Sequence, residues 1–186
     1  MINYLIKKNN YKDYLEIGCD KNQLFSLVEI ENKTGVDPEN GGNLRMTSDE
    51  FFKNNKKKFD IIFIDGLHIY NQVKIDILNS VKCLNKDGII LVHDCMPQSL
   101  SRQAVPRYKS IWNGDVWKAI VDLRQNIDLD IYTCEMDHGI GIIKLQKNSS
   151  ILKLKKPINQ LKFKDYINNY IEYLRVISVK EFKEMF

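Results

Sequence analysis

The sequence predicts a three-layer α/β sandwich built on a mostly parallel sheet, and three observations predict it. Short apolar runs alternate with longer amphipathic stretches from about residue 13 to residue 146. The run FDIIFID, 59 to 65, is apolar over most of its length, as a strand covered on both faces must be. The last two apolar runs are separated only by Met136, Asp137 and His138, too few residues for a crossover helix. They must form a hairpin, so the final strand runs antiparallel to the others.

In order, strands are expected at YLEIG (14–18), KTGVD (33–37), NLRM (43–46), FDIIFID (59–65), GIILVHD (88–94), LDIYTCE (129–135) and GIGIIKL (139–145). The clearest helix is HIYNQVKIDILNSVKCLNKDG. Val73, Ile77, Leu78, Val81 and Leu84 recur at three and four residues, and Gly88 follows as a stop signal. A second helix is read in GDVWKAIVDLRQNI, with Asp115 placed to cap it and Val116, Ile120 and Leu123 on one face. At Leu145 the pattern changes. The chain divides into a domain over 1–148 and a tail over 149–186, with one or two helices packed on the domain or on a second copy.

Composition excludes several classes of function. Lys+Arg number 28 and Asp+Glu 24, and a net charge of +4 is too mild to indicate nucleic-acid binding. The clusters KKNNYK, NNKKKF and KLKKP sit beside Asn or Pro and read as solvated turns. No run of 18 apolar residues exists and MINYLIKKNN lacks the core of a signal peptide, so a soluble cytoplasmic protein without membrane insertion is expected. Cys19, Cys83, Cys95 and Cys134 are widely spaced, which points to reduced, mostly buried thiols.

In a parallel α/β sheet, ligands bind beyond the carboxyl ends of the strands. Those ends carry Glu16 and Gly18, Asp37, Asp65 and His68, and His93 and Asp94, while the hairpin brings Asp137 and His138 to the same edge. All three histidines thus share one rim. Gly18 supplies a tight turn, but GCDKNQLF lacks the rest of the dinucleotide fingerprint. Asp37, about twenty residues beyond Gly18, is placed to accept hydrogen bonds from a ribose diol, or to cap the turn before Pro38. Asp65 and Asp94 end adjacent strands, and two carboxylates side by side favour a divalent cation. Oxygen ligands suit Mg2+ or Mn2+, and His93 or His68 as a third ligand tilts toward manganese, iron or zinc. His93 reads equally as a core residue bonded to a carbonyl.

YLEIG, TGVDP, MTSDEFF, FDIIFIDGLHIYNQVKIDI, LNKDGIILVHDCMP, AVPRYKSIWNGDVWKAI and GIGII together resemble class I S-adenosylmethionine-dependent methyltransferases, most closely a bacterial subfamily found with sugar and polysaccharide biosynthesis. The resemblance spans roughly residues 13 to 146. It implies a Rossmann-like sandwich of seven strands in the order 3-2-1-4-5-7-6, the last antiparallel. It also implies Glu16 and Gly18 along the methionine of the cofactor, Asp37 on its ribose, Ser48 and Asp49 near its adenine, and Asp65 facing the methyl group. Ser48 and Asp49 make sense as a helix cap too. Metal-dependent relatives carry acids at the positions of Asp65 and Asp94, with an acid or amide beside the latter, where this chain offers His93. Lys21 and Asn22 also stand where many members have a second small residue.

The implied reaction is transfer of a methyl group to a small-molecule hydroxyl, of a sugar or glycan precursor. A cation at Asp65 and Asp94 would orient the acceptor while His68 or His138 takes its proton; without metal, His68, His93 or His138 beside Asp94 would be the base. RQAVPRYKSIWNGDVW is too polar for a strand and follows Asp94, which places it over the cleft. Arg102 and Arg107 are candidates for an anionic group of the substrate, and Trp112, Asn113 and Asp115 for contact with it, whereas Trp117 reads as packing on the sheet. Two rival functions are a non-catalytic partner subunit with the same fold and an NAD-dependent oxidoreductase. The Tyr and Leu pattern of the tail is compatible with a homodimer contact.

Overall fold

The computed structural model describes residues 1–186. Its strands are β1 Asp13–Ile17, β2 Asn32–Val36, β3 Phe59–Ile64, β4 Leu84–Val92, β5 Leu129–Cys134, β6 Ile140–Leu145 and β7 Val176–Ile177. They form one seven-stranded sheet in the order β2-β1-β3-β4-β6-β5-β7. β6 is antiparallel to both its neighbours and every other pairing is parallel, as the short connection after β5, residues 135–139, requires. The helices are α1 Ile2–Asn9, α2 Ser48–Asn54, α3 Tyr70–Cys83, α4 Leu100–Gln103, α5 Val116–Leu123, α6 Phe163–Leu174 and α7 Val179–Met185.

Alternation along the strands splits the core in two. Ile62 and Ile64 of β3 and Ile90 and Val92 of β4 meet Phe51, Val73, Ile77, Ile120 and Tyr166 from α2, α3, α5 and α6. Ile61, Phe63, Ile89 and Leu91 point the other way, onto Leu5 and Ile6 of α1 and Phe182 of α7. Both faces of β3 and β4 are dry, which is why those strands read as continuous apolar runs. All four cysteines are buried free thiols. No helix is long and apolar enough to cross a membrane.

Three local expectations are corrected. The segment 43–46 is not a strand: Leu44 makes a single parallel bridge to Val36 at the sheet edge. The Asn43 side chain accepts from the Gly35 N–H at 2.8 Å and donates to the Lys33 carbonyl at 3.0 Å, taking groups that a paired backbone would need. The sheet gains its seventh strand from the tail instead, where Val176 and Ile177 pair with Thr133 and Cys134. Gly88 is not a helix stop. α3 ends at Cys83, the chain enters β4 at once, and Gly88 lies inside that strand, where a Cβ would come within 2.8 Å of the Asp60 carbonyl.

The tail wraps the sheet edge. α6 packs against α5 on one face, β7 joins β5, and Phe182 of α7 is buried on the other face.

Candidate active site

The carboxyl ends of β1, β2 and β3 open on a cleft of about 570 Å³. Of the positions assigned to the cofactor, Gly18, Asp37, Ser48, Asp49 and Asp65 all line it. Gly18 has φ +84°, and a Cβ there would lie 2.3 Å from the Asp65 carbonyl oxygen, so only glycine lets β1 and β3 end side by side. Asp37 is 8% exposed. Its Oδ2 accepts from the N–H groups of Cys19 and Asp20, each at 3.0 Å, and its Oδ1 from those of Glu39 and Asn40, each at 2.8 Å. Burial would raise its carboxyl, but those four bonds outweigh burial and hold it low. Asp37 is thus the tie between the two loops of the cleft, as well as a wall of it. Ser48 and Asp49 are not the helix cap: Thr47 is, in a reciprocal capping box with Glu50. That leaves Asp49 and Ser48 free to meet Gln72, which donates to both and to Asp76.

Glu16 does not line the cleft. Its side chain shares a face with Tyr14, two residues earlier on β1, and accepts the Tyr14 hydroxyl inside the apolar layer against α1. At 1% exposure, burial pushes its carboxyl up to about 7, against the bond from Tyr14. A carboxyl raised on folding contributes stability that is complete below its ordinary value and is lost as pH rises through the folded one. Between pH 5 and pH 8 the wild-type protein is therefore expected to lose about 2–3 kcal/mol through this residue. Glu16→Gln keeps an acceptor for Tyr14 and cannot ionise. Urea unfolding at the two pH values should show a much shallower loss in the variant; an undiminished loss would mean that Glu16 is already charged in the folded protein.

Beside the cleft, Asp65, His68 and Asp94 bring one ligand atom each within 4.8 Å of one another. His68 Nε2 lies 3.1 Å from Asp65 Oδ1, and its Nδ1 lies 3.2 Å from Asp94 Oδ2 and 3.1 Å from the Trp112 carbonyl. Asp94 takes φ +61°, a left-handed conformation that Asp tolerates, with its carboxylate against His68. Burial opposes charge on His68, but Asp65 and Asp94 overcome it and raise its pKa. His93 lies outside this trio. Its Nδ1 is 3.1 Å from Asp65 Oδ1, its Nε2 is 3.0 Å from the Asp137 carbonyl, and against burial Asp65 lifts it to about 9. Asp65 itself is lowered, its bonds to the two imidazoles outweighing burial, whereas for Asp94 burial wins and the carboxyl is raised. The third histidine, His138, is 6.5 Å from His93 between ring centres, and its Nδ1 is buried with no partner.

The segment after β4 covers this rim, but its residues divide differently from expectation. Asn113 is buried at 1% and donates to Asp94 Oδ1 at 2.6 Å, while its own Oδ1 has no partner. It steadies the cluster from behind and does not face open cleft. Asp115 caps no residue of α5; its Oδ1 accepts from the Tyr70 N–H at 2.7 Å, supplying the cap that α3 lacks locally. Gly114 passes so close to His68 that a Cβ would sit 1.7 Å from its carbonyl oxygen. Trp112 stacks on the His68 ring at 5.4 Å. Arg107 reaches the large cleft, whereas Arg102 lines neither it nor the cleft beyond His93 and bonds Gln98 instead. Trp117 is fully buried against Tyr166, as its place on α5 predicts.

The sequence profile of a family described as "Methyltransferase domain" matches residues 14–95, which hold β1 to β4 and both acidic strand ends. The chain also superposes on solved methyltransferases. The fold is that of the class I methyltransferases. One such structure, of SAH-bound Podospora anserina methyltransferase PaMTH1, is 15% identical with a TM-score of 0.57, over 78% of this chain and 76% of that one. An O-methyltransferase from Bacillus cereus in complex with SAH is 9% identical, with a TM-score of 0.57, over 78% and 79%. The O-methyltransferase TomG from Streptomyces achromogenes, involved in tomaymycin synthesis and in complex with SAM, is 10% identical, with a TM-score of 0.57, over 78% of each. No curated protein matches the sequence.

The class I methyltransferase fold family implies S-adenosylmethionine as cofactor. The cleft fits that cofactor on its own chemistry. Asp20, Asp37, Glu39, Asp49 and Asp65 line it against the single guanidinium of Arg107. An acidic cleft suits a cationic sulfonium and opposes the pyrophosphate of a dinucleotide.

Proposed function

We propose that the protein is an O-methyltransferase acting on a hydroxyl of a sugar or glycan precursor, in sugar or polysaccharide biosynthesis, with Mg2+ or Mn2+ held by Asp65, His68 and Asp94. The observation that carries this reading is the meeting of those three side chains at the edge of an acid-lined cleft. S-adenosylmethionine, when bound, supplies an electrophilic methyl group. A cation at the trio would lower the pKa of an acceptor hydroxyl, and two carboxylates with one imidazole suit manganese better than an all-oxygen set would.

The chain's own residues do the rest. Asp65 stands at the junction of cleft and cluster and holds His68 and His93 by one oxygen. Asn113 and the Trp112 carbonyl fix Asp94 and His68, so the rim is oriented before a ligand arrives. Both ring nitrogens of His68 and of His93 are engaged, which leaves His138, whose Nδ1 is buried but whose Nε2 makes no bond within the protein, as the imidazole available to accept the hydroxyl proton. A metal-free reading draws on the same contacts, because a protonated His68 satisfies both carboxylates by itself.

Calorimetry separates these readings. S-adenosylmethionine is expected to bind with micromolar affinity, and Mn2+ to bind about tenfold more tightly at pH 8 than at pH 6.5, because the cation must displace the proton that Asp65 and Asp94 hold on His68. Buffer-dependent heats would report that proton. Absence of heat with S-adenosylmethionine would remove the cofactor assignment; Mn2+ affinity indifferent to pH would remove His68 from the ligand set.

A further inference from the structure

A second cleft, of about 350 Å³, opens on the same rim and is not part of the first. Its walls come from the turn after β4 (Met96), the β5–β6 hairpin (Glu135, Asp137, His138) and, unexpectedly for a tail without chemical motifs, α6 (Tyr166 and Tyr170). One imidazole links the walls of the two clefts. His93 holds Asp65, in the wall of the first, through Nδ1, and the Asp137 carbonyl, in the wall of the second, through Nε2.

The lining has a definite chemistry. The half-buried Tyr170 ring and the Met96 thioether offer an apolar surface on which a sugar ring can lie, and the buried Tyr166, its ring centre 6.0 Å from that of Tyr170, backs it. Glu135 and Asp137 stand exposed at the rim, no Lys or Arg lines the cleft, and Asp137 pairs only with His93. Free carboxylates accept hydroxyl or ammonium groups, and they repel a phosphate that finds no cation to meet it.

We propose that this second cleft is the acceptor subsite, and that it takes a neutral or aminated pyranoside in preference to a phosphorylated or nucleotide-linked sugar. The proposal rests on the methyl-transfer reading above and narrows its substrate. The acceptor oxygen bonds to the methyl carbon as the carbon–sulfur bond breaks, the electron pair stays on sulfur, and the hydroxyl proton passes to His138. The tail is then part of the site, since α6 supplies one wall of it.

Saturation-transfer NMR on the full chain tests this with methyl glucoside, methyl glucosaminide and glucose phosphate as probes. Transfer is expected to the first two and not to the phosphate. Tyr170→Ala should abolish it, and Glu135→Lys, an exposed change that leaves the core alone, should reverse the preference toward the phosphate. Transfer to none of the probes, a wild-type preference for the phosphate, or a preference that Glu135→Lys leaves unchanged would each overturn the proposal. Calorimetry with S-adenosylmethionine on the same samples keeps the two readings apart: heat with the cofactor but no glycoside signal rejects the subsite alone, whereas no cofactor heat rejects the methyl-transfer reading itself.

Discussion

Asparagine in place of Asp65 is expected to slow methyl transfer by about 1,000-fold, the range in which loss of a proton-handling or cation-holding group falls. Asp65 is the one carboxylate that belongs to both the acid-lined cleft and the imidazole cluster. Asparagine preserves its volume and one acceptor oxygen, so the backbone contact with Gly18 and the end of β3 should survive. What disappears is the charge. His68 and His93 lose the partner that raises both of them, and a cation would lose one of its three ligand groups. Stability should fall by only about 1 kcal/mol, because a hydrogen bond is weakened and no cavity is made. The rate is read as release of S-adenosylhomocysteine with a methyl glycoside acceptor, and cofactor affinity by calorimetry should fall far less than the rate does. A variant within threefold of the wild-type rate would show that Asp65 shapes the cleft without entering the chemistry.

The parts of this site that were legible in the sequence are those decided locally. An apolar run that stops at an acid announces where β3 and β4 end, and so which side chains reach the rim. The gap of Met136, Asp137 and His138 dictates a hairpin and hence an antiparallel β6. Trp117 one turn into an amphipathic helix reads correctly as core. What sequence could not give depends on partners distant along the chain. Asp115 looks like a cap for the helix that follows it, yet it serves Tyr70, forty-five residues earlier. Asn113 looks like a polar loop residue and is buried behind Asp94. Glu16 stands in a strand-end motif, but the pleat turns it toward Tyr14 and away from the cleft. The tail carried one overlooked signal, tyrosines at 166 and 170, which on a helix occupy the same face.

That tail is held by a buried charge cluster, and Asp130→Ala is expected to destabilise the protein by about 3–5 kcal/mol. Asp130 is 2% exposed and lies on β5. It accepts from Arg175 Nη1 at 2.7 Å, from Gln146 Nε2 at 3.0 Å and from the N–H and hydroxyl of Ser149, binding together both ends of the segment that carries α6. Arg124 lies close by, 3% exposed, donating to the carbonyls of Glu172, Tyr173 and Ser150. Burial and then Arg175 pull Arg124 down to about 10, against the favourable pull of Asp130. Removing Asp130 leaves the buried Arg124 and the neighbouring Arg175 repelling each other with only Glu172 as counter-charge, which costs more than the hydrogen bonds alone. Arg175→Ala should cost less, since that side chain is 24% exposed and part of its attachment is the Tyr132 ring, 3.8 Å below it. The double variant should recover stability relative to Asp130→Ala, because it also removes one of the opposed charges. Urea midpoints give the three values. Hydrogen exchange at Val176 and Ile177 would accelerate in Asp130→Ala if β7 and α6 detach together, and glycoside binding in the second cleft would weaken with them. A loss below about 1 kcal/mol would instead mean that water screens Asp130 as it does a surface pair, and that apolar packing of Tyr166, Leu174 and Phe182 holds the tail alone.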